Sequence, residues 1–368
     1  ASPLAAQAQT ANVTMYGTFR LALESMDISG PGLGRKTDIN SWSSRWGIRG
    51  IESLGGGLNG IFQLETGVVL DYPGGVVLDG SAVSNQFITI REAWAGLNGA
   101  FGTVKMGAGL TPWDDVFGMD HLLLSNGLEN MDTLGGGVNP TMVRGGNFTG
   151  FGSVGAVAGS GRVCNSSTNF DARYGNSIRY DSPNFSGLYV ATQFAFLGEN
   201  TSGFKCKGWD TAVVYRNGPI EAGLAYARHI DFSQYDGGSW RAHAGYDFGF
   251  LKVLGGYERT NLEGNNGSEG DAKVGYYVVG VQVPLGPGTL GAQYGNRNKG
   301  ATTSATTVAE VSNGGGKQYS VNYKYGFSKR TYVYTWAARV KADSAARIEG
   351  GELGGKATSV GFGIQHNF

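Results

Sequence analysis

Residues 238–248, GSWRAHAGYDF, and 317–325, KQYSVNYKY, carry the pattern on which the fold turns. In the first, Trp240, Ala242, Ala244, Tyr246 and Phe248 alternate with Arg241, His243, Gly245 and Asp247. In the second, Tyr319, Val321, Tyr323 and Tyr325 alternate with Gln318, Ser320, Asn322 and Lys324. A period of two places the aromatic set on one face of an extended strand and the polar set on the other. Near the start, Val13, Met15, Phe19, Leu21 and Leu23 oppose Thr14, Thr18, Arg20 and Glu24 in the same way. In a soluble sandwich the apolar face would be a shared core; in a membrane barrel it is the lipid face.

The connections separate these two architectures. The pattern predicts strands at about 13–24, 40–52, 58–69, 87–97, 103–110, 173–181, 188–197, 208–217, 219–229, 239–247, 250–259, 273–283, 289–297, 317–325, 330–339 and 357–368, sixteen in all. Their links alternate in length. Ser53 to Gly57, Asn98 to Gly102, Ser182 to Gly187, Asn217-Gly218, Asp247 to Phe250, Pro284 to Gly288 and Gly326 to Lys329 are short turns. The links 25–39, 70–86, 111–172, 198–207, 230–238, 260–272, 298–316 and 340–356 are long and polar. An up-and-down barrel with both termini on one side requires this alternation, and a Greek-key sandwich does not. The expected fold is all-β, a 16-stranded antiparallel transmembrane β-barrel forming a single domain over 1–368.

Composition agrees. The 368 residues include 64 Gly, 9 Pro, 18 Tyr, 18 Phe and 7 Trp, which suits many short strands joined by glycine turns. Lys plus Arg and Asp plus Glu are equal at 29 each, so no basic excess points to nucleic acid. No apolar run reaches the 18 residues of a spanning helix, which leaves the closed barrel as the way to satisfy backbone hydrogen bonds in lipid. The segment 1–12 reads as an N-terminal tail, and its Ala6-Gln7-Ala8 triplet as the remnant of an export signal or as chance. Cys164 and Cys206 lie in polar stretches and are compatible with one disulfide or with two separate thiols.

Catalytic and metal motifs are missing from the sequence. His121, His229, His243 and His366 have no serine one or two residues away on the same strand, and C-x-x-C, H-E-x-x-H and Walker loops are lacking. No enzyme, cofactor or dedicated metal site is expected, although Asp114-Asp115 could take an incidental Ca²⁺. The segment 111–172 is too long for a plain connection and marks a binding or gating element, or a solvated surface loop. Trp113 beside Asp114 and Asp115 would suit a selective site for a small anion or sugar, or an anchor for the loop. A secreted β-rich adhesin accounts for the composition but not for the alternation of short and long links.

Four stretches and the C-terminus resemble the Gram-negative general porins of the β-proteobacterial and neisserial type. They are VTMYGTFRLAL (13–23), SRWGIRGIESLGGGLNGIFQLETG (44–67), REAWAGLNGAFGTVKMG (91–107), YGNSIRYDSPNFSGL (174–188) and the terminal VGFGIQHNF. The resemblance implies a homotrimer in outer-membrane lipid and lipopolysaccharide, with Phe368 ending the strand read by the assembly machinery. It implies passive diffusion of small hydrophilic solutes and ions. It also implies that the third loop, 111–172, folds inward as a constriction loop whose acids face wall arginines. By position these arginines fall on Arg45, Arg91 and Arg173. The alternation adds Arg20, Arg49, Lys105 and Arg179 on the lumenal face, where a charge avoids the cost of roughly 2–4 kcal/mol it would meet at mid-membrane. Asp114, Asp115 and Asp120 are the expected acidic side, and the excess of bases implies a weak anion preference. One departure stands out: Gly107-Ala108-Gly109 occupies a place where relatives often carry another arginine. The loop 70–86 is the candidate latch onto a neighbouring subunit.

Overall fold

The computed structural model describes residues 12–41, 44–68, 70, 88–117, 143–144, 170, 173–196, 206–231, 235–264, 271–298, 301–302, 315–344, 347–348, 352 and 354–368. Sixteen antiparallel strands form a closed barrel. The first six are β1 (Asn12–Ile28), β2 in two pieces (Arg35–Ser41 and Arg45–Gly55), β3 (Leu58–Val68), β4 (Ile88–Gly99), β5 (Gly102–Leu110) and, after helix α1 (Pro112–Phe117), β6 (Arg173–Asp181). The rest are β7 (Leu188–Phe196), β8 (Lys207–Asn217), β9 (Ile220–Ile230), β10 (Tyr235–Asp247), β11 (Lys252–Gly264), β12 (Ala272–Leu285), β13 (Gly288–Arg297), β14 (Gly316–Gly326), β15 (Thr331–Ala342) and β16 (Lys356–Asn367). Both pieces of β2 pair with the same edge of β1, so they are one interrupted strand. Closure comes from β1 against β16, with Thr18 opposite Asn367 and Ile28 opposite Ala357. Closure removes the sheet edges that lipid could not satisfy.

The period-two pattern sorts the two faces as the sequence predicts. On β8, Asp210, Ala212 and Val214 are buried while Trp209 and Val213 are exposed. On β14, Gln318, Ser320 and Asn322 are buried while Tyr319 and Val321 are exposed. The exposed row is apolar all round the barrel and the buried row is mixed, the reverse of a soluble protein. The short-turn end carries Phe101, Phe185, Phe248, Phe250 and Phe327, all exposed, which suits a membrane-water interface where aromatic rings gather. Among the described residues no helix is long and apolar enough to cross a membrane.

Two parts of the inward face are apolar rather than polar. Ala22, Tyr276, Val278, Tyr332, Tyr334, Trp336, Ala338, Val340, Ala342 and Ala357 form one buried cluster on β1, β12, β15 and β16. The other is built on β8, β9 and β11 from Ala212, Val214, Ala225, Ala227 and Leu262, and it receives Trp113 and Val116 of α1. Because Ala212 and Val214 alternate with the exposed Trp209 and Val213, α1 packs on the face opposite the lipid-facing row. Further along, Val143 and Arg144 pair antiparallel with Ile348 and Arg347, tying the long segment after β5 to the one before β16.

Candidate functional site

The charged side chains gather on β1 to β6 and α1. Glu65 on β3 is the hub of one group. Its Oε2 accepts the Tyr16 hydroxyl at 3.1 Å and lies 3.6 Å from Arg45 Nε; its Oε1 accepts Arg91 Nε at 2.9 Å. Arg91 reaches it because the ladder slips: Glu65 faces Glu92 and Thr66 faces Ile90, leaving Arg91 as the extra residue of a bulge. Bulges re-aim side chains in this way. Glu92 Oε2 accepts both Gln63 Nε2 and Trp94 Nε1 at 2.8 Å. Arg49 lies over the Tyr16 ring at 5.2 Å, and Lys105 Nζ lies 5.1 Å from the Trp94 ring centroid.

The second group ties the wall to α1. Arg179 on β6 donates Nε to Asp181 at 2.8 Å, Nη2 to Asp115 at 2.6 Å and Nη1 to the Leu110 carbonyl at 2.9 Å. Lys105 Nζ adds a 2.7 Å pair to Asp181. Arg216 Nη2 holds the Asp115 carbonyl at 3.3 Å, so α1 is gripped from two strands. The fork of a guanidinium serves such multidentate work where an ammonium could not. Burial pushes the Asp115 carboxyl above its ordinary range, and the attraction of Arg179 offsets only part of that.

A third cluster sits beside the docked helix. The Tyr174 hydroxyl is 2.6 Å from His229 Nε2 and 3.2 Å from Asp210 Oδ1, and Phe170 stacks on the imidazole at a 4.5 Å centroid distance. Tyr174, His229, Asp210, Phe170 and Trp113 are all fully buried. A base that no substrate can reach is a structural clamp rather than a catalytic one.

The sequence-predicted residues are placed as follows. Arg45, Arg49, Arg91, Lys105 and Arg179 line the two groups around Glu65 and Asp181. Arg20 stands apart, with Nε on Gln365 of β16 at 2.6 Å. Arg173 is half-buried opposite Leu110 and next to Tyr174. Asn176, with φ 50°, and the slip between Gly107 and Gly109 shift the register here, so Tyr174 shares the inward face of Ser177 and Arg179. Asp115 joins the wall, whereas Asp114 stays in the first turn of α1, its Oδ2 3.5 Å from Thr111 Oγ1. Asp120, His121 and Cys164 lie outside the described residues, as does nearly all of 70–86. Cys206 is disulfide-bonded. Among the described residues no three His, Cys, Asp or Glu side chains cluster as metal ligands. Phe368 closes the barrel seam, exchanging backbone hydrogen bonds with Gly17 and meeting Phe19 edge-on at 5.1 Å.

Sequence reasoning missed Glu65, Glu92 and Asp181. The signal was available, since Glu65 shares its face with Gln63, and Asp181 shares its face with Arg179. With these acids included, five bases (Arg45, Arg49, Arg91, Lys105, Arg179) meet four acids (Glu65, Glu92, Asp115, Asp181).

The family model described as Gram-negative porin matches residues 1–345. Outer membrane porin protein 32 of Delftia acidovorans is 29% identical, covering 99% of this chain and 96% of its own. The anion-selective porin from Comamonas acidovorans superposes with a TM-score of 0.74 at 23% identity, covering 97% of this chain and 100% of that one. The trimer form of OmpT from Vibrio cholerae gives 0.64 at 15% identity, covering 98% and 100%.

Proposed function

The chain belongs to the Gram-negative porins, and on that premise we propose that the charged ring of β1 to β6 and α1 is the constriction of a weakly anion-preferring diffusion channel. A porin of this family is an outer-membrane barrel that passes small hydrophilic solutes and ions passively, and the proposal gives it no cofactor. The carrying observation is the docking of α1 on the inward face with Asp115 against Arg179. That contact sets an acid of the 111–172 segment against the basic wall. Opposed charges across a wet opening give a transverse field that orders water and dipolar solutes and disfavours apolar ones. The surplus base, five against four, tips the sign towards anions. Arg49 contributes most to that tilt, since its guanidinium lies on an aromatic ring with no carboxylate within bridging distance among the described residues.

The reading extends to assembly. The chain acts as a homotrimer, as the OmpT trimer form does for its own chain, with lipid and lipopolysaccharide around it, 70–86 as the subunit latch and Phe368 as the residue read during insertion. The reading includes no enzymatic role, and among the described residues the Tyr174, His229 and Asp210 cluster is fully buried. Single-channel conductance of detergent-purified protein in a planar bilayer, under a salt gradient, tests the proposal. Ohmic steps in threes with a shallow reversal potential of anionic sign are expected. Folded protein that gives no steps, or a cationic reversal potential, overturns it.

A further inference from the structure

Beside the constriction the wall holds a cavity of about 170 Å³, bordered by Glu92, Trp94, Lys105, Asp115, Arg179 and Gln193 over a floor of Gly107, Ala108 and Gly109. The two glycines differ. Gly107 has φ +135°, and a Cβ there would strike the Ala93 carbonyl, so that position must stay bare. A Cβ on Gly109 would make only ordinary contacts, 3.4 Å to Trp94 Cδ1, 3.8 Å to Trp94 Nε1 and 4.0 Å to Glu92 Oε2. The backbone would accept a side chain at 109, and this sequence leaves the room open.

Gln193 shows what the cavity lacks. It is 2% exposed, and its Nε2 donates to Ser177 Oγ at 2.7 Å. The single Ser177 proton goes to the Gly107 carbonyl at 2.9 Å, so the hydroxyl oxygen must accept, which fixes the amide with its nitrogen towards Ser177. Gln193 Oε1 is left buried and accepts no hydrogen bond from the protein. A buried carbonyl without a donor is costly, so the site favours a solute that brings one.

The charges select the class of solute. Lys105 and Arg179 already hold carboxylates at 2.6 to 2.8 Å, which weakens their pull on a further anion. The lining carries two acids, Glu92 and Asp115, against these two cations, so neither a free anion nor a bare ammonium meets a field of one sign. A hydroxyl both donates and accepts: it can give to Gln193, Glu92 or Asp115 and take from the remaining Lys105 hydrogens, while the Trp94 ring supplies an apolar wall. We propose that this cavity is a subsite for a small neutral polyol or monosaccharide in transit. The proposal rests on the porin reading and deepens it by naming a solute class.

Saturation-transfer NMR of D-sorbitol against the folded, detergent-solubilised protein tests it without any current. Transfer to sorbitol is expected for the parent, with a several-fold loss in Gln193→Met and near-complete loss in Gly109→Leu, which fills the cavity. Heat-modified gel mobility confirms that both variants are folded. No transfer in the parent means that the cavity holds water only, and equal transfer in all three places binding elsewhere; either result overturns the proposal. Conductance of the same preparation is read separately, so a channel that conducts but binds no sorbitol fails this inference alone.

Discussion

Replacing Trp113 by alanine should loosen α1 from the wall while leaving the barrel intact. Trp113 and Val116 are fully buried against Ala212, Val214, Ala225 and Ala227. Those four residues belong to β8 and β9, hydrogen-bonded to each other from Lys207–Ile230 to Asn217–Ile220, so the wall cannot collapse into the space. A buried Trp→Ala change costs about 3–5 kcal/mol, more where relaxation is blocked. The Asp115 contacts with Arg179 and Arg216 remain. At about 3 kcal/mol, with each 1.4 kcal/mol a factor of ten, the undocked fraction should rise by about 10²-fold. The assay is the labelling rate of a Val116→Cys thiol by a water-soluble reagent, with and without the Trp113→Ala change, alongside single-channel noise. An acceleration of about 10²-fold with unchanged heat-modified mobility is expected. Rates within threefold would show that the apolar contact does not hold the helix, and a lowered melting temperature would show that α1 is part of the barrel core.

Three further outcomes follow from particular contacts. Arg49→Gln removes a charge that no carboxylate among the described residues neutralises; about 0.6 kcal/mol per monovalent ion at roughly 7 Å in water, halved by salt near 0.1 M, should lower the anion-to-cation permeability ratio about two- to threefold in the reversal potential. Because burial holds the Asp115 carboxyl above the ordinary Asp value of about 3.9, it takes up its proton before solvated aspartates do as the pH falls. The constriction then loses an acid, so anion preference should increase on acidification towards that value, and Asp115→Asn should abolish the step. Gly361→Ala would drive a methyl into the Trp336 ring; overpacking of this kind costs about 1–3 kcal/mol and should lower the temperature at which heat-modified mobility is lost, with the parent melting curve as reference.

The barrel is legible in the order of the residues alone. Period-two alternation along strands such as 238–248 and 317–325, with short glycine turns against long links, specified strand number, closure and the inward or outward sense of most side chains. These are local properties, because the direction of a side chain in a strand depends only on its parity. Where parity slips is visible only once the strands are paired. The bulge at Arg91 and the shift around Asn176 change which neighbours point together, and a bulge depends on both strands at once. Only the fold, likewise, shows that Glu65 serves both Arg45 and Arg91 and that Arg179 divides itself between Asp181 and Asp115. The seat of α1 on small wall residues and the unfilled space above Gly109 belong to the same class. Such partners lie far apart in sequence, and a one-dimensional pattern carries the face of each residue but not its neighbours across the barrel.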